Sequence, residues 1–491
     1  MEEVDALADA FVASNPAPGV AYGVVANGEM IHDRGIGTTH IDRHDAPTLD
    51  TAFRIASMTK SFTAAAVLLL RDDGLLHLDD PVTSHVPQLS ATPAITIRQL
   101  LTMSAGFPTD DPWGDRQQGL DLERFAAFLA GGQSFVWTPG TSFEYSNLGY
   151  GILGRVITNV AGQEYRDVVR TRLLEPLGMT STAYEAVEIP AERLATGYVR
   201  RDDAFIEEPF DGYGALAYMG GLFSTVRDLT RWTNGFARSF TDAQDDLHPV
   251  SRSSRREMQQ VHRIMRPELT WTSIDALPTA SVMGYGYGLF VREDLEIGTV
   301  VSHSGGYPGF GSHMRWHPSS GLAVIVLGNQ TYFPASNLGE QLLRTLVRAA
   351  GAPVRRLEPA PALKAARDAI ERLIDSWDDD LAASTFSMNV ELDEPLEHRR
   401  DAIEKLHAAH GALRRSDEPA VGDSPFHLGW WLEGERGRVK AEITLDPQPT
   451  PKVQWLELVS VPEPDTRVLV AAEEQVNAAN GDATDRDLVL V

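Results

Sequence analysis

Lysine occurs five times in this chain of 491 residues, and Lys60 is the sole lysine before Lys364. Arginine supplies the other cations of that long stretch. An amine can lose its proton near neutral pH when burial destabilises its charged form, whereas a guanidinium stays charged. Ser57 stands three residues earlier, in Ser57-Met58-Thr59-Lys60. Residues three apart on a helix share a face, so the amine can reach the hydroxyl. A serine needs such a base to act as a nucleophile, and burial among Ala and Leu would bring the lysine down from its ordinary pKa of about 10.4. Ser57 to Asp73 reads as a helix stopped by Gly74. The hydroxyl would then lie beside the unpaired N–H groups of a helix start, which suit a developing oxyanion.

Ser-x-x-Lys alone recurs on many surface helices, so two further segments carry weight. Glu144-Tyr145-Ser146-Asn147 follows the turn Pro139-Gly140-Thr141 and can present Tyr145 and Asn147 from a loop toward a cleft. Val301-Ser302-His303-Ser304-Gly305-Gly306 joins strand-forming residues to a double glycine, where another backbone can approach closely.

With these three segments in order, the chain resembles the penicillin-recognising serine hydrolases. That family comprises serine β-lactamases, D-alanyl-D-alanine peptidases and their esterase and D-aminopeptidase relatives. It is most similar to the branch with Tyr in the second motif, the class C β-lactamase and S12-type peptidase group. The resemblance runs over roughly residues 20–350 and includes Leu100-Leu101-Thr102 before Ser104-Ala105-Gly106, the run Tyr145 to Tyr150, Pro176-Leu177-Gly178-Met179 and Gly220 to Thr225. It implies an acylated Ser57, with Lys60 and Tyr145 sharing the base and acid work. It also implies that Asn147 bonds substrate and Lys60, that His303, Ser304 and Gly305 form the third motif, and that the N–H groups of Ser57 and Gly306 form the oxyanion hole. No cofactor and no metal are implied. The third motif departs from the usual Lys-Thr-Gly. A fixed cation has become a histidine, ordinarily of pKa about 6.5 and mostly neutral at pH 7, which weakens attraction for a penicillin or peptide carboxylate. The expected activity is therefore cleavage of small esters, D-amino-acid amides or short peptides through acyl-Ser57, ahead of penicillin hydrolysis or cell-wall D,D-carboxypeptidase action. The alternative is a catalytically silent cleft used for binding or assembly.

These residues need a scaffold to position them. Gly19–Val25 and Met30–Asp33 around Asn27-Gly28 read as a hairpin. Residues 75–234 read as a mainly helical insertion, with helices over Ile97–Met103, Tyr150–Val160, Tyr165–Leu174 and Thr225–Phe236. Strands are expected at Gly286–Val291, Val300–Ser304 and Leu322–Gly328, then a helix at Leu338–Ala349. The expected class is α+β: a β-lactamase/transpeptidase-like antiparallel sheet with flanking helices and a helical subdomain over residues 1–351. Pro353, Pro359 and Pro361 mark a linker over 352–363, and 364–491 reads as a small α+β domain whose end after Ala472 frays.

The rest of the sequence mainly excludes. A formal charge of -26 repels nucleic-acid phosphates and anionic membranes. No apolar run reaches the ~20 residues of a bilayer span, and the acidic start Met1–Ser14 does not read as a secretory leader. The expectation is a cytoplasmic protein whose partner is a small-molecule or short-peptide substrate. With no cysteine, disulfides and thiolate chemistry are absent. No Gly-x-Ser-x-Gly elbow occurs, which closes the α/β-hydrolase alternative. His40 and His44 with Asp42 and Asp45 lack ligand spacing on a helix, and His407 and His410 read as surface residues.

Overall fold

The segments Gly19–Ala26 and Leu322–Gly328 show no apolar-polar alternation, the pattern of a strand covered on both faces. The computed structural model describes residues 1–91, 93–202, 204–241, 247–270, 279–351 and 359–462, in two units, Met1–Arg355 and Arg356–Val491. In the first unit the two segments pair as the second and third strands of an eight-stranded antiparallel sheet. Its strands are β1 (Gly19–Ala26), β2 (Glu29–Gly37), β3 (Arg263–Thr270), β4 (Thr279–Tyr285), β5 (Phe290–Asp294), β6 (Gly298–Tyr307), β7 (Phe310–His317) and β8 (Leu322–Gly328). Their order is β2-β1-β8-β7-β6-β5-β4-β3.

Alternate residues of these strands feed two different cores. Val20, Tyr22, Val24, Val324 and Val326 pack with Phe333, Leu338 and Leu342, beneath helices α1 (Glu2–Ser14) and α2 (Ala335–Ala349). Ala21, Val25, Ile325 and Leu327 face the larger core, which holds the helices between β2 and β3. The expected antiparallel sheet with flanking helices and a helical section is the observed architecture. At the centre of that larger core lies the helix Thr59–Asp72, in which every residue from Thr59 to Leu70 is buried. Packing on all sides explains why its sequence shows no polar stripe. Against it runs Asn147–Ala161, where Gly154 leaves room for the ring of Tyr218.

Several elements differ from expectation for identifiable reasons. Helix α1 escapes notice because it buries only Val4 and Ala8. Gly286 to Leu289, expected to begin a strand, is the turn between β4 and β5, with Gly288 at φ +68°. Strand β7 is buried throughout although it contains His313 and Arg315, because each has a polar partner inside. Asn147 begins a helix instead of lying in a loop.

In the second unit, helices such as Pro361–Asp375 and Leu396–His410 accompany a five-stranded sheet. Trp430 is buried in its core, and Trp431, on the other face, lies under the Arg438 guanidinium at 3.7 Å. His410 is buried, contrary to expectation, with Nε2 2.6 Å from Ser460 Oγ. Of the expected linker, residues 352–358 lie outside the described residues, as does the stretch after Ala472. Among the described residues, no helix is long and apolar enough to cross a membrane.

A methyl group at Gly154 would collide with the Tyr218 ring. Gly154→Ala should therefore lower unfolding stability by about 1–3 kcal/mol in urea titration, despite the better helix propensity of alanine.

Candidate active site

The chain enters the site through a strained turn. Ala56 adopts φ +47°, a left-handed conformation unusual for a residue with a side chain, and Ala56–Met58 forms a single 3-10 turn leading into the long buried helix. Ile55 is pinned on both sides: its N–H donates to Leu222 O at 2.9 Å, and its carbonyl accepts from Ser312 Oγ at 2.7 Å. The backbone N–H of Ser57 thus lies in the first turn, where no intrahelical acceptor exists. Ser57 is 8 % exposed and Lys60 is fully buried.

Three acceptors surround Lys60. Its Nζ donates to Ser57 Oγ at 2.8 Å, to Asn147 Oδ1 at 2.6 Å and to the backbone carbonyl of Met219 at 2.9 Å. An ammonium has three protons, so all are satisfied. Burial brings the Lys60 pKa down to about 8, opposed by the charges of Asp111, Asp115 and Asp110. Once the amine is neutral, it has two N–H groups and one lone pair. Asn147 Oδ1 and Met219 O can only accept, whereas Ser57 carries a proton of its own. The lone pair is therefore directed at the Ser57 hydroxyl.

Tyr145 precedes the helix at Asn147, and Ser57 is among the groups close enough to act on its hydroxyl. Its ring lies 4.9 Å from Lys60 Nζ and stacks on Phe290. Burial, with the nearby Asp111 charge, holds its phenol well above the usual pKa, so Tyr145 rests protonated. The carboxamide of Asn147 is used at both ends, since Nδ2 donates to Asp111 Oδ1. Asp110 accepts the N–H groups of Asn147 and Leu148 at 2.7 and 2.8 Å and so caps that helix. Asp115 is buried, accepts from the Tyr332 hydroxyl at 2.8 Å, and is pushed up to about 7, chiefly by burial.

The third segment lies on β6. His303 is buried, with Nδ1 2.6 Å from Ser304 O and Nε2 3.1 Å from the Tyr285 hydroxyl. The carbonyl can only accept, so Nδ1 carries the proton and Nε2 accepts from Tyr285. Burial and the Lys60 charge lower its pKa to about 3, leaving the ring neutral throughout the neutral range. Ser304 lies on the other face, with Oγ 2.9 Å from His313 Nδ1. Gly305 has no room for a side chain, because a Cβ there would strike the Ile55 carbonyl and Ser312 Oγ. Pairing with β5 ends at Ser302, whereas pairing with β7 continues to Tyr307. The Gly305 carbonyl points toward Ser312 on β7, so strand alternation turns the backbone groups of Ser304 and Gly306 to the open edge. The Gly306 N–H therefore lies on the strand edge beside the Ser57 turn, beyond the last residue paired with β5.

The structure thus brings Ser57, Lys60, Tyr145 and Asn147 together and lines them with the open edge at Ser304 and Gly306. The side chains of His303 and Ser304 are committed to protein partners. The sequence reading missed Asp110, Asp111 and Asp115. Their one signal was the paired aspartates Asp110 and Asp111 ahead of the Tyr145 segment, and Met219 acts through its backbone and left no signal. Away from this site, His40, Asp42 and Glu207 offer ligand atoms within 4.8 Å of one another, but the two carboxylates are exposed and His40 already pairs with Glu207 at 3.2 Å.

Residues 4–349 match the beta-lactamase family model. Protein flp of Staphylococcus aureus (strain NCTC 8325 / PS 47) is 28% identical over 340 residues, covering 67% of this chain and 63% of that protein. The chain thus spans just under two thirds of that relative's length. The D-alanyl-D-alanine-carboxypeptidase/endopeptidase AmpH of Escherichia coli (strain K12) is 27% identical over 341 residues, covering 66% of this chain and 82% of that protein. Among solved structures, the octameric penicillin-binding protein homologue from Pyrococcus abyssi superposes with a TM-score of 0.61 at 21% identity, covering 93% of this chain and 99% of that one. At that identity the likeness establishes the fold alone.

Gly305→Ala should displace the Ile55–Ser57 turn. The expected result is a loss of at least about tenfold in the rate at which a fluorophosphonate labels Ser57, measured on intact protein by mass spectrometry, with a smaller change in thermal unfolding.

Proposed function

The chain belongs to the beta-lactamase family, whose members are in general serine hydrolases, and from that premise we propose that it cleaves ester or amide bonds through an acyl-Ser57 intermediate. The observation that carries this reading is the set of three acceptors around Lys60 Nζ, of which Ser57 alone can return a proton. Neutral Lys60 takes the Ser57 proton as Oγ attacks the substrate carbonyl carbon. The oxyanion that forms accepts from the N–H groups of Ser57 and Gly306, donors worth about 3–4 kcal/mol each in other acyl-transfer enzymes. Tyr145, held protonated, passes a proton to the departing alkoxide or amine and is resupplied by the Lys60 ammonium. Water then releases the acyl group by the reverse proton route.

The neutral His303 supports the choice of substrate class. It offers no cation to a substrate carboxylate, which favours small esters, D-amino-acid amides and short peptides not held by a carboxylate over penicillins. Because one relative is named a D-alanyl-D-alanine-carboxypeptidase/endopeptidase, a D-alanyl-D-alanine peptide belongs in the panel beside p-nitrophenyl esters, D-amino-acid amides and a penicillin.

Incubation with that panel, followed by intact-mass and peptide mapping, should trap an acyl group on Ser57. Ser57→Ala should abolish it and reduce turnover at least about 10³-fold. Equal turnover by wild type and Ser57→Ala would defeat the proposal. The pH dependence has a definite sign. Protonated Lys60 cannot accept the serine proton, so kcat/KM should rise through about pH 8 and level off above it. No step near pH 6.5 is expected from His303, which is already neutral there.

A further inference from the structure

We propose that Asp111 is a positioning residue that reserves the Lys60 lone pair for Ser57 by locking the carboxamide of Asn147 in one orientation. The proposal deepens the acyl-serine reading and rests on it. The argument begins with the symmetry of an amide. Rotating the Asn147 side chain by half a turn exchanges Oδ1 and Nδ2 with almost no change of shape. While Lys60 is an ammonium, the exchange is blocked, because Nδ2 would set donor against donor. Once Lys60 is neutral that protection disappears. A rotated Asn147 could donate Nδ2–H to the lone pair, and Ser57 would lose its base at the moment it needs one.

Asp111 prevents this. Its carboxylate accepts from Asn147 Nδ2, and an ionised carboxylate has no proton to offer. Rotation would break that charge-assisted bond and place Oδ1 against a negative charge. Neighbouring carboxylates do not do the same job. Asp110 is committed to the N–H groups of Asn147 and Leu148, and Asp115 to the Tyr332 hydroxyl. A close backbone approach further restricts the amide, since a Cβ at Gly114 would lie 3.1 Å from Asn147 Nδ2.

Asp111 also acts by its charge. The groups facing Lys60 are Ser57 from its own turn, Tyr145, Asn147 and Tyr150 from the second segment and its helix, the Met219 carbonyl, neutral His303 from β6, and the three aspartates from the 110–115 loop. Of the charges that raise the Lys60 pKa, that of Asp111 is the largest. Removing it must favour the neutral amine, so the pH at which Ser57 becomes reactive should fall.

The test is the rate of fluorophosphonate labelling of full-length protein from pH 6 to 10, with the labelled peptide identified, for wild type, Asp111→Asn, Asp111→Ala and Asp111→Glu. Asp111→Asn keeps an acceptor but loses the charge, and its midpoint should fall by about half a unit or more. Asp111→Ala loses both, and its plateau rate should also drop about tenfold or more, while Asp111→Glu should return most of that plateau. If Asp111→Ala fails to fold by circular dichroism, the midpoint of Asp111→Asn decides. Wild-type midpoint and plateau in both Asn and Ala variants would overturn the role of Asp111 while leaving Ser57 standing. Failure of the wild type to label at Ser57 would overturn the acyl-serine reading itself.

Discussion

A buried amine held by three acceptors, one of which is also a donor, is the interaction on which the rest of this structure depends. Burying an amine is unfavourable unless each proton finds a partner. Here the partners come from three separate parts of the chain: the turn before the Lys60 helix, the start of the Asn147 helix and the Met219 carbonyl. No one of these elements can move without leaving a buried proton unpaired. The tight packing of the larger core, from Phe62 through Tyr150 to Tyr218, keeps the three parts in register.

Two opposed effects then set the chemistry. Burial pushes the amine toward neutrality, and the aspartates of the 110–115 loop pull it back. Burial alone would leave a still weaker base; the carboxylates restore basicity. The same burial, reinforced by the Lys60 charge, holds His303 neutral, so one apolar environment both tunes the base and removes a second cation from the cleft. Tyr145 is pushed the other way and keeps its proton. Base, proton carrier and neutral wall are thus distinguished by surroundings more than by residue type.

How much of this could be read in advance follows from what each group contributes. Ser57, Lys60, Tyr145 and Asn147 are side chains at short spacings or in compact motifs, and the strands β1 and β8 and the buried helix announce themselves by unbroken apolar runs. Strand β7 hid because His313 and Arg315 look like surface residues until Ser304 and Glu340 are seen beside them. Met219 contributes a carbonyl, which every residue has. Asp111 is joined to Asn147 by a contact spanning 36 positions, and pairing at that range is decided by the tertiary fold. His303 was legible as a residue, but only its burial reveals how firmly it is held neutral.

The open edge of β6 has a further consequence for solubility and self-association. An unpaired strand edge is a template onto which any extended chain can add, including a neighbouring copy. Here the exposed ladder runs only from Ser304 to Gly306 before Tyr307, and the turn at Pro308-Gly309 ends the strand with a residue that has no N–H to donate. Two outward-facing residues are too few to register a second sheet. A strand that must stay unpaired to be useful is kept safe by being short.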